Sequence, residues 1–61
     1  AFASVVSKKF IKKGTFISHK NICLKRPGNG DFLAKDFLKL IGKKSCVDIK
    51  KNIQIKKKFI Q

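Results

Sequence analysis

Sixty-one residues with sixteen Lys and Arg against three Asp make one small, strongly basic domain of net charge +13. That length lies near the lower limit for folding without metals or disulfides and allows a compact core without a roomy internal pocket, so a ligand should bind on the surface or between this domain and something else. No apolar run approaches a membrane span, no signal-peptide pattern opens the chain, and two cysteines without a CxxC spacing, beside one isolated His19, do not read as a zinc site.

The first element is the β-prone Ser4-Val5-Val6, followed by a turn in Ile11-Lys12-Lys13-Gly14-Thr15-Phe16-Ile17. The same pattern returns at a constant offset of 38 as Ile49-Lys50-Lys51-Asn52-Ile53-Gln54-Ile55, preceded by Ser45-Cys46-Val47. Ile22 after the first copy matches Ile60 after the second. Gly14 faces Asn52 in this register, and these two residue types most readily accept a positive φ. A duplicated strand–turn–strand unit predicts pseudo-twofold symmetry, with two halves that pack their Val and Ile faces together. Gly, Asn and Lys pairs interrupt the strands every few residues and keep them short.

Between the copies stands the only loop of specialised composition, Arg26-Pro27-Gly28-Asn29-Gly30-Asp31-Phe32. It contains the sole Arg and the sole Pro of the chain. Pro27 fixes one backbone angle, while Gly28, Asn29 and Gly30 tolerate left-handed conformations. In a chain that otherwise uses lysine, an arginine points to a need for its planar fork of donors. Two readings stay open: the loop aims Arg26 at a ligand, or Arg26 pairs with Asp31 or water on an ordinary surface loop. After it, Leu33, Phe37, Leu40 and Ile41 recur at helical spacing, which predicts a helix of two turns or fewer between Asp31 as cap and Gly42 just past the end.

Cys23 and Cys46 lie 23 positions apart. Buried reduced thiols are the expectation in a cytosolic protein, with one disulfide left open. The lysines fall in twos and threes along the whole chain, follow no single helical face and carry no finger, helix-turn-helix or RNP-like string. They attract polyanions at low salt without specifying a nucleic acid. A non-enzymatic polyanion-binding module is therefore the alternative function that composition offers. Ala1 in place of a starting Met reads as a piece cut from a longer protein.

Ala3-Ser4-Val5-Val6, the Ile-Lys-Lys-Gly turn, Lys25-Arg26-Pro27-Gly28-Asn29-Gly30-Asp31-Phe32, Leu40-Ile41-Gly42-Lys43 and the closing Ile-x-x-x-x-Ile segment together resemble the C-terminal antifreeze-like (SAF) domain of bacterial N-acetylneuraminate synthases. The resemblance covers almost the whole chain, residues 1–61 as one domain, and its most specific part is the loop string. It implies a small mostly-β domain with the type III antifreeze-like, β-clip pretzel fold: two pseudo-twofold halves, short strands and one or two short helical turns.

It also implies a role inside an enzyme. In that family a (β/α)8 barrel, absent here, condenses phosphoenolpyruvate with N-acetylmannosamine to give sialic acid and phosphate, using a divalent metal, manganese or magnesium, held by the barrel. The SAF domain caps the barrel of the other subunit in a homodimer, and the loop's arginine reaches the N-acetyl group of the amino-sugar. Carried onto this chain, that residue is Arg26, with Pro27, Gly28, Asn29, Gly30 and Asp31 positioning it. Catalytic residues, cofactor and metal are expected to be none in this domain. A monomeric isolated domain, a cytoplasmic location, and no specific nucleic acid or membrane partner complete the expectation. Ice binding, the property of the antifreeze relatives, fits poorly: Thr15 survives on the matching positions, but Lys9, Lys13, His19 and Lys20 would stand hydrated off that face.

Overall fold

In the computed structural model residues 2–61 are described, and Ala1, the first residue of the expected domain, lies outside them. Strand β1, Ser4–Ser7, and strand β2, Ile22–Lys25, pair antiparallel in the register Ser4↔Lys25 to Ser7↔Ile22. Every residue of β1 is buried, because the strand runs through the centre of the molecule and is approached from several sides. Isolated bridges carry the remaining pairing: Val6↔Gln54, Ile11↔Ile49, Phe16↔Lys44, Ser45↔Ile60 and Ser4↔Leu33. The strands stay short where Lys pairs and turn residues cut them, as expected of a small mostly-β domain. No helix among the described residues is long and apolar enough to cross a membrane.

The core is built mainly from β-branched aliphatics rather than rings. Val5, Ile11, Ile17, Ile22, Leu40, Ile49 and Ile55 form it, and Phe32, Phe37, Ile41, Phe59 and Ile60 pack against it half-buried. Isoleucine suits a core made of short extended segments, since its stiff χ1 fits a pleated backbone and fixes its packing.

The offset of 38 seen in the sequence is realised in the hydrogen bonds. Ile11 and Ile49 exchange both backbone bonds at 2.8 Å, which places the pseudo-twofold axis between them. Around that axis three further pairs of bonds are images of each other. The Gly14 N–H donates to Ser45 O and the Asn52 N–H to Ser7 O, both at 2.8 Å; the Ser45 N–H donates to Thr15 O and the Ser7 N–H to Ile53 O, both at 2.9 Å. The Ile17 N–H donates to Lys43 O and the Ile55 N–H to Val5 O. At the two turns φ is +90° for Gly14 and +65° for Asn52, as their residue types predict. The halves do more than press apolar faces together: each supplies the backbone partners that the other lacks.

The segment between the copies ends in a seven-residue helical stretch, a 3-10 turn at Ala34–Asp36 running into helix α1, Phe37–Leu40. Leu40 is buried while Phe37 and Ile41 lean on the core, and Gly42 follows with φ +89°. The start differs from expectation. Leu33, not Asp31, occupies the N-cap, and its N–H is taken by the Asp36 carboxylate at 2.9 Å. Asp31 is drawn off to the other end of the chain, where it accepts the Lys57 N–H at 2.9 Å. Ser45-Cys46-Val47 likewise makes one bridge instead of a strand, because the Ser45 hydroxyl donates to the Val47 carbonyl and turns the chain. Cys23 and Cys46 are free thiols, half-buried rather than buried.

Candidate functional site

Two buried serines close β1, and the first of them organises the loop. Ser4 is fully buried; its hydroxyl donates to the Pro27 carbonyl at 2.7 Å and accepts the Gly30 N–H at 3.0 Å. One side chain thus bridges the loop from second residue to fifth. A serine inside an apolar strand satisfies backbone groups that a Val or Ala would leave without partners, each at a cost of about 1–3 kcal/mol.

Other ties come from distant segments. The Gln54 side-chain amide donates to Asn29 Oδ1 at 2.7 Å, and Lys25 Nζ reaches Asn52 Oδ1 at 2.6 Å just before the loop begins. The Val5 N–H donates to the Phe32 carbonyl at 2.9 Å where the loop ends, and Asp31 is pinned to the Lys57 amide as described. Both copies of the repeat and the 3-10 turn at Lys57–Phe59 therefore hold the loop. The Arg26–Pro27 peptide bond is cis.

The glycines act differently from the expectation. Gly28 and Gly30 do not adopt positive φ; among the described residues those that do are Gly14, Gly42 and Asn52. What Gly28 supplies is close approach: a Cβ there would lie 2.3 Å from Phe2 Cβ and 2.6 Å from the Phe2 carbonyl carbon. At Gly30 a Cβ would meet Ser4 Oγ at 3.1 Å and the Gln54 side chain at 3.2 Å. The loop is packed down onto the N-terminal segment, and only glycine leaves that room.

Arg26 itself is exposed and makes neither an ion pair nor a hydrogen bond through its guanidinium among the described residues. The pairing with Asp31 considered from sequence does not form. Phe2, Leu24 and Ile53 are exposed apolar residues, at 75%, 43% and 39%. All three belong to segments that hold or lead into the loop: Phe2 under Gly28, Leu24 ahead of Lys25, and Ile53 between Asn52 and Gln54. An exposed arginine on an anchored loop, with apolar side chains on the supporting segments, has the makings of a contact surface for a polar ligand or a second protein.

Of the six residues expected at the site, all lie in this one anchored loop, though Asp31 faces the Lys57 turn. The sequence reading missed Ser4, Gln54, Asn52 and Phe2 as supports. Ser4 carried a weak signal, a hydroxyl inside an otherwise apolar β-prone segment. The others are joined to the loop only by folding. Among the described residues no group of His, Cys, Asp and Glu is placed to hold a metal ion.

No curated protein matches the chain. A family model described as the SAF domain does, over residues 2–61. That match spans the repeat, the anchored loop and the short helix alike, so the chain belongs to the SAF domain family.

Proposed function

We propose that this SAF domain is the substrate-capping part of an N-acetylneuraminate synthase, placed over the active site of the partner subunit's barrel, where Arg26 binds the amino-sugar. The observation that carries the reading is the contrast within one loop: nearly every residue around Arg26 is tied down, while its guanidinium is exposed and has no partner among the described residues. A planar fork held at a fixed place can direct its N–H donors onto the single oxygen of an amide carbonyl, and little entropy is lost because the loop is already ordered. The role is binding and orientation. A lid of this kind also excludes water from a site that handles a phosphorylated enol.

Condensation of phosphoenolpyruvate with N-acetylmannosamine, and the manganese or magnesium ion it uses, belong in this reading to the barrel. Among the described residues no group fits such an ion, and no step is assigned to them through it. The test is substitution in the parent enzyme. Arg26→Ala should leave the fold intact and lower kcat/KM for N-acetylmannosamine by roughly 10–100-fold, the loss of one charged hydrogen-bonding partner. Arg26→Lys should recover little of it. Mixing Arg26→Ala subunits with subunits inactivated in the barrel should restore activity through heterodimers that hold one intact barrel under one intact lid. Heterodimers that form and stay inactive would overturn the capping role in trans.

A further inference from the structure

Away from Arg26, α1 and the last residues of the chain enclose an open groove of about 560 Å³. Its floor is Phe32, Leu40 and Ile60, and Lys39, Lys43 and Lys57 stand around it, all three exposed. The loop residue Asp31 is not part of the lining, but its carboxylate accepts the backbone N–H of Lys57, which is. The charge around this groove is poorly compensated. Each of the three aspartate carboxylates is bonded to a backbone N–H: Asp31 to Lys57, Asp36 to Leu33 and Asp48 to Lys13. Only Asp36 also meets a lysine, Lys39 at 3.7 Å. Three exposed lysines therefore border an apolar centre that Gln61 also lines, and among the described residues only Lys39 of the three has a side-chain carboxylate for a partner.

We propose that this groove is a docking site for an acidic protein segment that carries an apolar anchor residue. The anchor would lie on Phe32, Leu40 and Ile60, and flanking carboxylates would meet Lys39, Lys43 and Lys57. The chemistry favours this occupant over a nucleic acid. The lysines surround an apolar floor instead of tracking a line, Phe32 is half-buried against the core and offers no open face for a base, and a phosphodiester backbone has nothing apolar to place there. An apolar centre with a charged rim is the usual anatomy of a small protein interface. Because the lining residue Lys57 donates its N–H to Asp31 of the Arg26 loop, a segment seated here lies beside one of the loop's anchoring contacts.

A blocked hexapeptide with a central Leu-Phe pair and four Glu is the probe, titrated into the chain in about 150 mM salt so that diffuse attraction is screened. Chemical shifts should move at Phe32, Leu40, Lys43 and Ile60. Substituting Lys39, Lys43 and Lys57 together by Gln should weaken binding about tenfold, whereas Lys12, Lys50 and Lys51, also changed together to Gln, remove equal charge elsewhere and should weaken it less than about twofold. A peptide with Ser in place of Leu-Phe should lose about tenfold as well. Equal losses from the two lysine triples, or shifts spread over the whole surface, would reduce the effect to net charge and overturn the proposal. Tighter binding of an equally charged oligonucleotide in the same groove would overturn it in favour of a nucleic-acid site.

Discussion

At Gly28 and Gly30 the same change, a methyl group on the backbone, would meet different neighbours. At Gly28 it would run into the Phe2 backbone, with the carbonyl carbon at 2.6 Å and the oxygen at 2.8 Å, neither of which can rotate away. Gly28→Ala should therefore cost about 1–3 kcal/mol, the usual range for overpacking, read as a lower midpoint in urea. Gly30→Ala meets a serine hydroxyl and the flexible end of Gln54, both beyond 3.0 Å, and should cost less. If Gly30→Ala were the worse of the two, the loop would not be lying on Phe2 in solution. The comparison also shows where sequence reading stops. Glycine in a loop announces special backbone, and it cannot say whether the need is a left-handed angle, as at Gly14, or an absent Cβ, as at Gly28. The choice depends on a segment more than twenty residues away. Arg26 was legible because its uniqueness is a property of composition. Its supports at Ser4 and Gln54 were not, because they exist only once the chain has folded.

The helical stretch illustrates the same limit one level up. Its core-facing Phe37, Leu40 and Ile41 and its terminal Gly42 could be read from spacing alone, whereas Leu33, expected in the same stripe, stands outside it as the N-cap. The residue that closes its first turn could not, since Asp31 and Asp36 both stand near the start and either carboxylate could take an orphan N–H. Competition from Lys57 decides for Asp31. Asp36 is left to accept the Leu33 N–H, and that bond, helped by Lys39 and Lys35 and opposed by burial, holds its pKa below the ordinary carboxylate value. The sign follows directly. A carboxylate with a folded pKa below its unfolded one stabilises the fold above the unfolded pKa, and that contribution disappears as pH falls through the folded value. Asp36→Asn should therefore lower the melting temperature at neutral pH, and the gap from the parent chain should close in strong acid. A gap unchanged at low pH would mean that the carboxylate's charge is irrelevant and only its hydrogen bond counts.

For the whole molecule, the pseudo-twofold makes a quantitative demand. Ile11 and Ile49 face each other across the axis, both about 1–2% exposed, and exchange their backbone bonds. Ile11→Val and Ile49→Val should each cost about 0.5–1.5 kcal/mol, and the two values should agree closely because each removes the same methylene from equivalent surroundings. The pair should also depart from additivity, since the two residues share a contact. Unequal costs would mean that the symmetry of the hydrogen bonds does not extend to the packing. That exchange has an architectural meaning. Paired bonds in which one half gives what it also receives are the pattern of an isologous interface, the kind that joins identical subunits in a homodimer. This domain has such an interface inside a single chain, like a dimer whose subunits have been fused. Only the bridge that fuses them, from the end of β2 to Gly42, lacks an image in the repeat. It alone is released from matching a counterpart, and it is the part that carries Arg26, the anchored loop and one wall of the groove.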